Sequence, residues 1–461
     1  MNTLWLRTLA SSVFVLAASA SSLAGQNRPM TFLDVQEIRG GGSWAPSPDQ
    51  AWMLYTITTP DWIEDESQSD IYVVSLADGV SSTRQLTYTS DKNETNPTWA
   101  PDASYFVFSS NRDAVAPKRT NQLYRMRHDG GEARKITDAK DGVSGFSFSP
   151  DGTWLVFRSG ESGREQLYRQ AATDPTGAPA TQITAGAAGV ESWEWSPDGA
   201  TIYLSRPDSF DEDEAARKEE GFSVDVKNAI TPLSSLWAIT VATAEERQVA
   251  GDATYSVTGF SLSPDGQWIV FSGGSPERYE RNITGAGLYG DQYLLDVAAG
   301  SVERLTENYE VGEDGASFSP DSRWIAFSGP DDMEAYSITE SRIYVRGVGE
   351  RGGSFRKLGS DFDNSLRVAF WSPDGSTIYA NAAVKVTRQL HSVDVRTGRV
   401  QSITSERANL TVSKDEDTGT LLINYQDPAT PQTIFTAANI DRLADRASWI
   451  QLTDMNPQVS E

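Results

Sequence analysis

Ser149-Pro150-Asp151-Gly152-Thr153-Trp154, followed at once by Leu155-Val156-Phe157, is one copy of a unit that recurs along this chain of 461 residues. Ser47-Pro48-Asp49, Ala100-Pro101-Asp102, Ser196-Pro197-Asp198-Gly199, Ser263-Pro264-Asp265-Gly266, Ser319-Pro320-Asp321 and Ser372-Pro373-Asp374-Gly375 repeat it. Ser413-Lys414-Asp415 is a worn eighth copy. Ser at the first position, Pro with its fixed φ at the second and Gly at the fourth suit a type I turn that ends one strand and starts another. The fourth and sixth residues after the Asp are apolar or aromatic in nearly every copy, as in Met53 and Tyr55, Phe106 and Phe108, Leu155 and Phe157, or Ile325 and Phe327. A period of two predicts a strand with a buried face.

The aspartates at 49, 102, 151, 198, 265, 321, 374 and 415 mark a unit of roughly 50 residues, the size of a four-stranded propeller blade. An aromatic or apolar residue leads into most turns (Trp99, Phe148, Trp195, Leu262, Phe318, Trp371). A third strand carries pairs such as Ile71-Tyr72, Leu123-Tyr124, Leu167-Tyr168, Leu236-Trp237 and Leu390-His391. A fourth ends in Leu86-Thr87, Ile136-Thr137, Ile183-Thr184, Leu305-Thr306, Ile403-Thr404 and Leu452-Thr453, with hairpin signals such as Asp129-Gly130-Gly131 between the two. The expected fold is all-β: a β-propeller of four-stranded antiparallel blades, eight in number, with seven as the alternative. The same strand order in every unit predicts that the ring closes without strand exchange between its ends; Thr31 to Glu37 completing the last blade would contradict this.

A formal charge of −25, from 39 basic and 64 acidic residues, argues against nucleic acid, whose phosphates call for clustered Lys and Arg. Residues 1–24 read as a secretory signal: Arg7 supplies a positive charge, Thr8 to Ala20 a short apolar core, and Ala18-Ser19-Ala20 or Ser22-Leu23-Ala24 a small-residue cleavage site. No other stretch is long and apolar enough to span a membrane. The absence of cysteine rules out disulfides and a thiol nucleophile. A secreted or periplasmic bacterial protein is expected, with a signal peptide at 1–24, the propeller at 25–455 and the start of a linker to a missing domain at 456–461.

Little in the chain points to chemistry. No Gly-x-Ser-x-Gly elbow, His-Glu-x-x-His, Walker loop or nucleotide fingerprint occurs, so no catalytic residue, metal site or cofactor is expected. The two histidines fit structural roles: His391 fills the aromatic slot of a third strand and His128 adjoins the turn Asp129-Gly130. The repeated aspartates suit their turns, and eight equivalent copies do not make a single site. In Asp151-Gly152 the two residues are adjacent, unlike the sialidase Asp box. A propeller glycosidase working through paired carboxylates is thus the least supported function.

The departure from the repeat is an insert at Asp208 to Lys227, between a second and a third strand. Its early acids and Ala215-Ala216 predict a short helix over Asp211 to Glu220. Glu219 and Glu220 are candidates for holding a peptide's amino terminus, two carboxylates facing one ammonium. Asp211, Glu212, Asp213 and Glu214 are candidates for contact with another domain. The plain alternative is a solvated acidic loop. A smaller acidic excursion runs from Asp61 to Asp70.

The repeat resembles the propellers of TolB-type proteins and of prolyl-oligopeptidase-type serine peptidases. Ser69-Asp70-Ile71-Tyr72-Val73-Val74, Ser109-Ser110-Asn111-Arg112, Gln122-Leu123-Tyr124-Arg125-Met126-Arg127 and Gly130-Gly131-Glu132-Ala133-Arg134-Lys135-Ile136-Thr137 lean toward the acylaminoacyl-peptidase and dipeptidyl-peptidase branch. The resemblance covers about residues 30 to 456. It implies a non-catalytic ring that gates and selects peptides for a C-terminal α/β-hydrolase domain, whose Ser, Asp and His have no counterpart here. The partners it implies are a peptide substrate or that hydrolase domain. The other reading is a stand-alone TolB-like binding propeller of the cell envelope.

Overall fold

A computed structural model describes residues 30–115, 119–173, 175–222, 232–274, 290–307, 313–332, 335–336 and 338–459. The proposed signal at 1–24 lies outside them, as do the end of the insert from 223 and the last two residues.

The repeated tetrapeptide works as a locked turn. Ser149 Oγ donates to the Asp151 carboxylate at 2.6 Å and accepts from the Trp154 backbone N–H at 2.9 Å, while the Gly152 N–H closes the turn onto the Ser149 carbonyl at 2.9 Å. The Ser-to-Asp bond recurs from Ser47, Ser196, Ser263, Ser319 and Ser372. In the copy that starts with Ala100, Ser104 serves Asp102 instead, at 2.7 Å. The fourth turn residue is left-handed, with φ +69° at Gly152, which is why glycine favours this place. Gln50, Ala103 and Ser322 adopt the same conformation without glycine. These hydrogen bonds hold Asp49, Asp102, Asp151, Asp198 and Asp374 below the usual carboxylate range, down to about 2 at Asp151 and Asp374. The aspartates are parts of the scaffold.

The Leu/Ile-Thr repeat has an equally local cause. Thr137 Oγ1 accepts from the Leu123 N–H at 2.9 Å and donates to Gln122 at 2.8 Å. Thr184 does the same with Leu167 and Gln166, and Thr404 with Leu390 and Gln389. The hydroxyl thus satisfies a buried strand N–H where the short fourth strand has run out.

From these pieces the chain builds eight consecutive four-stranded antiparallel units among the described residues, beginning at Gly40, Glu94, Gly145, Ser192, Ser256, Asp314, Arg367 and Asn409. The last two are joined by one parallel pairing, Arg388 with Asn409. In the second strand Thr377–Val384 only every other residue is fully buried, but most second strands are buried on both faces, as where Leu155 and Phe157 pack toward the second sheet and the intervening Val156 packs toward the fourth. The alternation seen in the sequence is therefore only half of the buried pattern. In the fifth unit the third-strand pair is Gln292-Tyr293, with Tyr293 stacked on Phe271 at 5.1 Å; its polar first member hid it from the apolar pattern.

Eight apolar clusters lie between successive sheets, and the eighth joins the last sheet to the first. There Leu422, Ile434, Leu452 and Met455 pack on Met53, Tyr55 and Val74. The Asn456 side chain also bonds the Arg39 backbone twice, at 2.8 and 2.9 Å. Among the described residues no strand is exchanged: Thr31 to Glu37 contains the capped helix Phe32–Gln36, and each sheet draws on consecutive strands.

Candidate functional site

Antiparallel order sorts the loops onto two faces. The Ser-Pro-Asp turns and the third-to-fourth hairpins lie on one face. The second-to-third loops and the connectors between sheets lie on the other, where the chain also reaches Gly40 and leaves after Gln451. The second-to-third loops carry the exposed residues Trp62, Ile63, Val115, Phe222, Ile338 and Val386, so the apolar tips gather on the connector face.

The insert belongs to the same face. It follows the strand Thr201–Pro207 and forms the helix Glu212–Glu219, close to the expected span. Asp211 caps it, accepting from the Glu214 N–H at 2.9 Å, and Lys218 pairs with Glu214 at 2.7 Å. The helix has no buried residue, as its acidic composition requires. It is tethered from the preceding sheet: the Arg164 guanidinium sits 3.8 Å from the centre of the Phe210 ring and pairs with Glu212. Phe210 also closes over Gly163, where an added Cβ would stand 2.9 Å from the ring. The arrangement needs glycine there.

A cavity of about 570 Å³ opens between this helix and the loop of the third sheet. Asp211, Glu214 and Glu219 line it together with Ser162, Phe210 and Pro232. Of the two paired candidates, Glu219 is on the cavity wall and Glu220 is not part of the lining, being the exposed residue that ends the helix. Glu212 is turned to Arg164, and Asp213 is exposed beside it. The wall thus combines the apolar Phe210, Ala215 and Pro232 with the carboxylates of Asp211, Glu214 and Glu219 and with Lys218, whose ammonium is paired with Glu214. Sequence reasoning missed Arg164, because its loop belongs to a different repeat and carries no motif, and missed Phe210 and Pro232 because only the acids of the insert were weighed.

The histidines sit among aromatic rings: His391 is buried 4.9 Å from Phe362, with burial lowering its pKa, and His128 lies between Trp52 and Trp99 at 5.3 and 5.4 Å.

Sheets and repeats define a β-propeller of the kind found in prolyl-oligopeptidase-type serine peptidases. By sequence the chain is similar to dipeptidyl-peptidase 5 of Porphyromonas gingivalis, 24% identical over 415 residues that make up 88% of this chain and 54% of that one. It is also 34% identical to an uncharacterized peptidase, YuxL, of Bacillus subtilis over 111 residues, 24% of this chain and 16% of that protein. Among solved structures, acylaminoacyl peptidase in complex with Z-Gly-Gly-Phe-chloromethyl ketone aligns with a TM-score of 0.50 and 16% identity, over 92% of this chain and 54% of that one. No protein-family model matches the chain. The chain spans about half the length of the dipeptidyl-peptidase it resembles.

Proposed function

We propose that this chain is the non-catalytic propeller portion of a secreted or periplasmic serine peptidase, gating and selecting peptides for an α/β-hydrolase domain. The eight units are its blades. Residues 1–24 act as its signal peptide, residues 25–455 form the ring, and residues 456–461 begin the link to the hydrolase. The observation that carries this reading is the connector face: both ends of the ring, the apolar loop tips and the insert all open on it. A hydrolase tethered after Gln451 would start on that face. Desolvating Trp62, Ile63, Val115 and Phe222 there favours a permanent contact. Asp211, Glu212, Asp213 and Glu214 would lie against the partner, and Glu219, with Glu220, would draw in the amino terminus of a peptide.

The test begins with the reading frame beyond Glu461. A Gly-x-Ser-x-Gly followed by Asp and His supports the proposal, and the encoded protein should then cleave dipeptidyl or acylated-amino-acid chromogenic substrates. Glu219→Gln should raise KM for substrates with a free amino terminus and leave acylated ones unchanged. An in-frame stop with no hydrolase partner would leave a TolB-like binding propeller of the envelope, using the same face.

A further inference from the structure

We propose that the cleft between the second and third sheets, on the outer wall of the ring, is a binding site for a small uncharged ligand carrying an amide and an apolar group. It is separate from the insert cavity. The position two residues after the third-strand aromatic is apolar in six units: Val74, Met126, Ile239, Leu295, Val393 and Ala437. Two units depart from this, with Gln170 and Arg346. Arg346 has an evident purpose, pairing with Glu303 at 2.8 Å and the Gly353 carbonyl at 3.0 Å. Gln170 is 2% exposed, and its Nε2 has no hydrogen-bond partner. A buried amide without a partner is costly, and seven other units show that the fold does not need a glutamine here.

Gln170 lines a cavity of about 380 Å³, within the usual range for small-ligand sites. Phe157 and Tyr168, stacked at 5.6 Å, form part of the same wall with Ile136. Aromatic faces beside one amide suit a ligand with an apolar body and a peptide-like amide, which can both donate to and accept from a glutamine side chain. The mouth bears Asp138, Lys140 and Asp141, charges of both signs, and Asp138 is already held by Lys135 at 2.6 Å. A net charge on the ligand would gain little there. A neutral amide is the chemistry that uses what the cleft offers.

The probe is N-acetyl-L-phenylalaninamide, titrated against the full chain by ligand-observed NMR. Saturable binding is expected in the native protein. Gln170→Leu should weaken it at least tenfold while raising the melting temperature, because the substitution restores the apolar residue of the other repeats. Ala178→Trp, which narrows the rim, should weaken binding without raising the melting temperature. If Gln170→Leu does not fold, Gln170→Met is read in the same way. Absence of saturable binding would overturn the proposal, as would equal affinity in the Gln170 variant. Toluene binding as tightly as the amide would overturn the role given to the glutamine.

Discussion

The Glu194 carboxylate, on the first strand of the fourth sheet, accepts a hydrogen bond from the backbone N–H of Leu262 on the first strand of the fifth, at 3.2 Å. It joins neighbouring units at their first strands, each of which ends its sheet among the described residues. Burial, with a smaller push from Glu416, raises its pKa from an ordinary 4.5 to about 7. Between those values the folded protein holds a proton that the unfolded chain has lost. The stability this group contributes is therefore full below about pH 4.5 and is lost as pH rises through about 7. Glu194→Gln should flatten the decline in melting temperature between pH 5 and 8. An equal decline in both proteins would show that another group is responsible.

The turn aspartates act in the opposite direction. The folded pKa values of Asp49, Asp102, Asp151, Asp198 and Asp374 are lowered by side-chain and backbone donors, so their contribution is present above the unfolded value and is lost as pH falls through the folded one, about 2 at Asp151 and Asp374. Melting temperatures should fall steeply from about pH 4 downward. Ser149→Ala should lower the melting temperature at neutral pH and make the fall below about pH 4 shallower, because Asp151 then loses its first donor and its folded pKa moves back toward the unfolded value; an unchanged slope would argue against the lock.

Thr137→Val keeps the shape and removes the hydroxyl that the Leu123 N–H and Gln122 share. A buried donor is left unsatisfied, which costs about 1–3 kcal/mol. Urea unfolding should show that loss, whereas an exposed control such as Thr243→Val should change little.

For the insert, Arg164→Ala removes both the contact with Phe210 and the pair with Glu212, at a cost of about 0.5–1 kcal/mol at such an exposed site. Deleting Asp208 to Lys227 should move the melting temperature by less than about 3 °C, because the helix has no buried residue. Hydrogen exchange should show faster exchange confined to residues 160–164. A large drop in melting temperature would mean that the insert supports the ring.

Much of the ring was legible in the residues. Pro150 and Gly152 mark a turn, and Leu155 and Phe157 mark the strand after it. The candidate site was legible only in part. Asp211 and the acids after it announced a capped helix, but Arg164 and Phe210 meet across two repeats. Gln292-Tyr293 escaped because a glutamine stands where the pattern expects an aliphatic residue.

Local chemistry is what the sequence by itself determined: turn, strand, helix cap and their order, each set by residues within a few positions of one another. Only the tertiary structure decided that the eighth apolar cluster joins Leu422 to Met53, that the apolar loop tips share a face, and that Gln170 lines a cleft with its Nε2 unpartnered. These depend on sheets packing over residues far apart in the chain, and hydrophobic burial is non-directional. Which sheet covers a given apolar face is settled by the geometry of the ring.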